Sequence, residues 1–256
     1  MSSTSPPSPP SRPPRVAVKP SLLALGVGVA LAVLTASLGI WASATRWEDH
    51  SKVQRVVFYD IPTALQAAFY IVLPVLFVVA GWLFAVRVQN WQRGQPDRRA
   101  TTRDNLKHRL HDIRAGLYMK TLLRDPAAGI MHSLIYFSFL ILFAVTTVDE
   151  INHILPSGAK YLHGTVYQSY ALVANVAGIL FLVGVIWAIV RRYLVRPYRI
   201  RIKTRPEDAV ILGTFLVIGV TGFTTSGLRL ALQGRPSFEK WRVLGYPLAI
   251  VFDGLN

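Results

Sequence analysis

RDPAAGIMHSLIYFSFLILFAV, residues 124–145, decides the fold. From Pro126 to Val145 the stretch holds no Asp, Glu, Lys or Arg and one histidine, His132. A helix needs roughly 20 apolar residues to cross the hydrocarbon core of a bilayer. Backbone groups in lipid must pair within the segment, so the run is predicted to be a helix. Asp125 is placed to cap it and Pro126 to open it, because proline fixes a helical φ and lacks an N–H that would go unpaired.

Outward from this run the same pattern recurs. Apolar stretches lie near residues 21–43, 62–87, 127–149, 166–190 and 208–230. The chain is 52% hydrophobic, and only 16% of its 256 residues are charged. Soluble domains carry about 25%. The expected architecture is all-α: a polytopic membrane helix bundle of five transmembrane helices plus an incomplete apolar C-terminal segment. Ala42-Ser43-Ala44 resembles a signal cleavage site, but the first run exceeds the roughly 7–15 residues of a signal core. Pro74, inside the second run, is expected to kink it. No cysteine occurs, which excludes disulfides, thiolate catalysis and cysteine-ligated clusters or zinc within this chain.

The net charge of +15 (28 minus 13) does not indicate nucleic acid, since the basic residues fall in the gaps between apolar runs. Residues 88–126 and 191–206 are basic loops, whereas 150–165 holds Lys160 alone. Cytoplasmic loops carry the excess of lysine and arginine, which puts the N-terminus and both basic loops inside. Arg229, near the outer end of the fifth run, is expected to snorkel to the interface. Residues 1–20 are Ser/Pro-rich and read as a disordered cytosolic tail. Within 88–126, Leu106, Leu110, Ile113 and Leu117 recur at helical spacing among basic residues. That pattern predicts an amphipathic helix suited to an anionic membrane surface or a cytosolic partner. LGYPLAIVFDGLN, residues 244–256, is apolar but too short to span. It reads as the lead into a further helix, so the chain is expected to be truncated before its last one.

Six histidines remain. His108 and His111 lie in a basic loop and His50 in a polar one. His132 differs, because an ionisable group inside a membrane helix is costly and marks function by default. Three roles fit it: a haem ligand, an interhelical hydrogen bond, or an interfacial site. Tyr136, Phe137 and Phe139 follow it and suit either a porphyrin or ordinary core. His153 lies 21 residues on, about 31 Å along a continuous helix and within roughly 60° of the same face. His163, before the fourth run, competes with it as a ligand. A six-coordinate haem at His132 lacks a second internal histidine in these runs.

RDPAAGIMHSLIYFSFLILFAVTTV resembles the third-helix signature of bacterial membrane iron–sulfur oxidoreductases related to heterodisulfide reductase. YLHGTVYQSYALVANVAGILFLVGVIWAIVRRYLVRP and EDAVILGTFLVIGVTGFTTSGLRLAL resemble the elements that follow. The N-terminal part of that family is similar to the haem-b gamma subunit of respiratory nitrate reductase. The resemblance implies that 21–256 is a transmembrane haem-b-type electron-transfer domain in a bacterial inner membrane. It implies His132 as an axial ligand of haem iron, with His153 and His163 as further cofactor-binding candidates. It implies quinone and membrane lipid around the helices, and a cytosolic iron–sulfur domain or subunit whose clusters lie outside this chain. It also implies electron-transfer flavoprotein as a partner in some relatives. Where the pattern often has an acidic residue, this chain has Ser226. By this reading the chain alone is not catalytic. A haem-free scaffold that docks a cytosolic partner is the alternative. A transporter fits less well, because the runs hold few charges and Pro74 has no counterpart.

Overall fold

A backbone that has no water to bond must close its own hydrogen bonds, and each apolar run does so as a helix. The computed structural model describes residues 21–45, 53–55, 57–58, 61–92, 102–118, 125–198 and 205–254. The expected tail at 1–20 and His50 lie outside the described residues. In chain order the helices are α1 (Leu22–Thr45), α2 (Thr63–Gln92), α3 (Arg103–Leu117), α4 (Pro126–Ile154), α5 (Gly164–Ile189), α6 (Pro206–Leu232) and α7 (Gly245–Asp253). A π-helical segment, Val190–Val195, prolongs α5, and 3-10 turns cover Ser157–Ala159 and Ser237–Trp241. No strand occurs among the described residues. The protein is an all-α membrane protein, with α1, α2, α4, α5 and α6 long and apolar enough to cross a bilayer.

The chain forms two compact units. The first comprises residues up to Ile40 together with Pro62–Arg99, and the second holds Trp41–Ile61 and everything from Ala100 on. In the first unit α1 meets α2 through glycines. A Cβ at Gly28 would lie 2.9 Å from the Phe77 carbonyl oxygen and 3.0 Å from the Gly81 Cα. Close backbone approach through small residues is how helices associate where lipid removes the hydrophobic drive. The α2 helix runs on through Pro74.

In the second unit α5 is the central helix, packed on α4 along one side and on α6 along another. Glycines again set the spacing. Gly184 receives Ile135 of α4, Gly178 receives Phe223 of α6, and Gly219 of α6 receives Leu182. The three helices alternate in direction. One end of the group therefore gathers the start of α4, the finish of α5 and the start of α6. Asp125 caps α4 as the sequence predicts, accepting from the Ala128 N–H at 3.2 Å, with Pro126 as first residue. The same carboxylate pairs with Arg191 at 2.7 Å. Arg192 pairs with Asp208, which also accepts from the Arg205 N–H at 2.8 Å. Two consecutive arginines at the tail of α5 thus hold the heads of α4 and α6.

The short α7 packs on α6. Asn175 of α5 holds its start, its Oδ1 accepting from the Leu244 and Gly245 N–H groups at 3.3 and 3.2 Å. The apolar stretch 244–256 is therefore, over its described part, a nine-residue helix folded against α6. The α3 helix matches the amphipathic reading. Thr102 caps it, and Leu106, Leu110, Ile113 and Leu117 are all exposed.

Candidate functional site

The most polar interior of the second unit lies at the far end of α5, where α4 and α6 finish. Tyr167 stands one turn into α5 and is fully buried. Its hydroxyl donates to Glu239 Oε1 at 2.6 Å and accepts from Arg242 Nη2 at 2.9 Å. Arg242 Nε donates to Glu239 Oε2 at 2.6 Å. Arg229 comes in from the last turn of α6, its Nη2 donating to Glu239 Oε1 at 3.2 Å and its Nη1 to Gln233 at 2.8 Å. The Glu239 side chain is 1% exposed, that of Arg242 9% and that of Arg229 12%. Burial alone would push the Glu239 carboxyl upward. The guanidiniums of Arg242 and Arg229, with the Tyr167 hydroxyl, outweigh it and hold the group below the ordinary carboxylate range. Glu239 is therefore ionised, and two buried cations share its charge.

Arg229 corrects the sequence reading. Its side chain is largely buried and turned to the Glu239 carboxylate instead of snorkelling to the interface. A second pair lies nearby in space, since Arg55 lines a cavity with Arg229 and Arg242: Arg55 donates to Asp149 at 2.5 Å. The Val53 carbonyl accepts from the Gly164 N–H at 2.8 Å, which ties this loop to the start of α5. Gly164 has φ +58°, a conformation that favours glycine.

Two cavities meet in this region. One, of about 360 Å³, lies between α4, α5 and α6 and is bounded by Leu142, Asn175, Phe181, Phe223 and Arg242 among others. The other, of about 440 Å³, is bounded by Arg55, Thr221, Thr225, Arg229 and Arg242. Both share Ile218, Gly222, Ser226 and Arg242 as wall. Both sizes fall in the roughly 300–1,000 Å³ range of small-molecule sites, and a mostly apolar wall with a few convergent polar groups is their usual character.

The three histidines expected to bind cofactor are spread over the unit, and none lines either cavity. His132 sits two turns into α4, at the end held by Arg191 and Arg192. Its ring is exposed and hydrogen-bonds to no described residue. Tyr136 and Phe139 follow at i+4 and i+7, on the same face, and Phe139 is exposed. An imidazole whose nitrogens make no hydrogen bond, beside an aromatic surface, has the chemistry of a residue that would hold haem iron. No second histidine occurs on α4, α5 or α6 at that end. His153 lies at the opposite end of α4, buried, with its ring edge-on to Phe58 at 6.1 Å. Asn152 Oδ1 accepts from the N–H groups of Tyr161 and Leu162, each at 3.0 Å, which draws the exposed His163 to the same end as His153. His132 is thus separated from the other two by the length of the helix. Among the described residues no three metal-ligating side chains cluster. His108 and His111 are exposed on α3.

Sequence reasoning missed the Tyr167–Glu239–Arg242 cluster. Its members lie 72 and 75 positions apart on separate elements. One signal was available: Arg229 inside an apolar run, with Glu239 a few residues beyond, is a charge in need of a partner.

Two curated proteins resemble part of this chain. The "EtfAB:quinone oxidoreductase" of Syntrophomonas wolfei is 32% identical over 111 residues, which is 43% of this chain and 15% of that protein. The "Probable iron-sulfur-binding oxidoreductase FadF" of Bacillus subtilis is 32% identical over 96 residues, 37% of this chain and 14% of its own length. The matched stretch thus spans about a seventh of these relatives. Both are oxidoreductases by name, which relates this chain to electron transfer in general. No protein-family model matches the chain, and no solved structure matches it.

Proposed function

We propose that this chain is the membrane module of an oxidoreductase that passes electrons between membrane quinone and an iron–sulfur domain or subunit. The module sits in a bacterial cytoplasmic membrane with its N-terminus and basic loops inside, as the loop charges favour. His132 would hold the iron of a b-type haem, and any second histidine ligand would come from outside α4–α6. The bound haem supplies one-electron transfer that the side chains of this chain lack. The iron–sulfur partner lies on the cytoplasmic side, nearest His132, and electron-transfer flavoprotein is its proposed donor. His153 and His163 belong to the outer end, where a second cofactor or the quinone would bind.

The observation that carries this reading is His132 itself. It is a free imidazole on a membrane-spanning helix, inside a chain whose relatives are named for quinone and iron–sulfur oxidoreduction. What the chain's own residues do is structural and electrostatic. Arg191 and Arg192 fix the heads of α4 and α6, and so the register of His132. The Glu239 cluster keeps charge buried at the quinone end.

The test is the reduced-minus-oxidised spectrum of the intact protein purified from its membrane. A b-type spectrum is expected, with one haem lost in His132→Ala at unchanged protein yield. Haem content that is the same in the variant removes His132 as ligand. A protein with no haem at all leaves the haem-free scaffold.

A further inference from the structure

The two cavities beside the Glu239 cluster have features that packing does not explain. Gly222, on the wall they share, is unlike the glycines near it. Gly178 and Gly219 are filled by Phe223 and Leu182, but a Cβ at Gly222 would meet nothing within 4 Å. Gly222 is exposed, and its missing side chain leaves this wall open to the side of α6 and serves no helix contact. Ser226, one turn on, has a buried Oγ with no hydrogen-bond partner. Three of the four other hydroxyls of α6 behave differently: Thr214, Thr221 and Thr224 each donate to a carbonyl of their own helix at 2.7–2.9 Å, while Thr225 lines the larger cavity. A buried hydroxyl left unpaired is costly, so such a group is usually matched by something. The wall is also charged in excess. Arg55, Arg229 and Arg242 line the larger cavity, while the carboxylates beside them are Asp149 and Glu239.

We propose that this space receives the head-group of a lipid-soluble quinone. The flat ring lies against the open Gly222 wall, between Phe181 and Phe223. A carbonyl oxygen accepts from Ser226 Oγ at the end where Arg229 and Arg242 supply positive potential. This inference rests on the quinone part of the proposed function and adds its place in the fold. A neutral acceptor suits the site better than a phosphate. Arg242 already gives Nε and Nη2 to Glu239 and Tyr167, and Arg229 gives both Nη groups to Glu239 and Gln233. One excess charge polarises a carbonyl but does not match a dianion. Haem is disfavoured in this space because no histidine lines it. Access is from the side, since Ile218 and Thr221 are exposed on the membrane-spanning α6. A prenyl tail can therefore stay in lipid while the head enters.

The experiment uses the intact protein in nanodiscs with an azido-substituted alkyl-quinone, in benzoquinone and naphthoquinone forms, photo-cross-linked and mapped by peptide mass. The expected adducts lie within residues 215–245 and are displaced by unlabelled decylquinone. Gly222→Leu, whose Cβ meets nothing within 4 Å, fills the space and is expected to weaken decylquinone binding by at least about tenfold, the factor that 1.4 kcal/mol corresponds to. Ser226→Ala removes one hydrogen bond and is expected to weaken it roughly two- to tenfold. Adducts elsewhere, with Gly222→Leu binding as before, overturn this site while leaving quinone binding intact. Absence of any saturable quinone binding overturns the quinone part of the proposed function, and this site with it. If Gly222→Leu fails to insert, the adduct map of the unaltered protein decides alone.

Discussion

The two ends of the α4–α5–α6 group are held by the same chemistry in different surroundings. At the end where α4 begins, Arg191 pairs with Asp125 and Arg192 with Asp208; Asp125 is 56% exposed, and Arg192 and Asp208 are 28% exposed each, so water reaches both pairs. At the other end, Glu239 is 1% exposed and bonded to Tyr167, Arg242 and Arg229. Arginine–carboxylate pairs that water still reaches contribute little, about 0–1 kcal/mol when fully exposed, since water competes for both partners. Breaking a buried pair leaves a charge that nothing solvates. The first end is therefore a clamp that tolerates change. The second is a costly arrangement, and a membrane protein retains such a group where charge serves a purpose.

The largest expected effect is at Glu239. Replacing it by alanine strands Arg242 and Arg229 together and is expected to destabilise the protein by about 3–5 kcal/mol. Thermal unfolding in detergent, followed by tryptophan fluorescence, measures it. Glu239→Gln keeps hydrogen bonds to the arginines and is expected to recover part of that loss. If Glu239→Ala unfolds at the wild-type temperature, the cluster is wet and the contrast between the ends disappears.

A smaller effect is expected at the clamp. A double-mutant cycle of Arg192→Ala and Asp208→Ala should give a coupling of about 0.2–1 kcal/mol. Asp208 also accepts from the Arg205 N–H, so its single variant should cost more than that of Arg192. A coupling as large as the Glu239 effect would make both ends equivalent, and the clamp would then need a buried-charge account of its own.

The contrast also separates what the sequence reveals from what it hides. Membrane helices are legible because length and apolarity are local properties, and the runs at 127–149 and 208–230 lie within α4 and α6. The Asp125 cap is local too, as are the four leucine and isoleucine positions of α3. His132 stands out because one ionisable group breaks an apolar run. The clamp and the Glu239 cluster are not local. Arg191 meets Asp125 across 66 positions, and Tyr167 meets Glu239 across 72. Which arginine of a basic stretch finds a carboxylate depends on how α5 turns against its neighbours. That turn is set by where Gly178 and Gly184 admit Phe223 and Ile135. Gly222 looks like those glycines in sequence and differs only in what faces it.

Acid is the mildest way to probe the comparison. Asp125, ordinarily at 3.8, is held lower by the Ala128 N–H and by Arg191. Glu239, ordinarily at 4.5, is held lower by its arginines against the pull of burial. A carboxyl depressed on folding stabilises the fold above its unfolded value, and that contribution is lost as pH falls through the folded one. Unfolding temperature is thus expected to be insensitive to these groups near neutrality and to fall once pH drops below 4.5. In Asp125→Asn the acid slope should flatten slightly, because the group is exposed and little is lost with it. In Glu239→Gln it should flatten more. The opposite ranking would mean that the clamp, and not the buried cluster, carries the protein's response to acid.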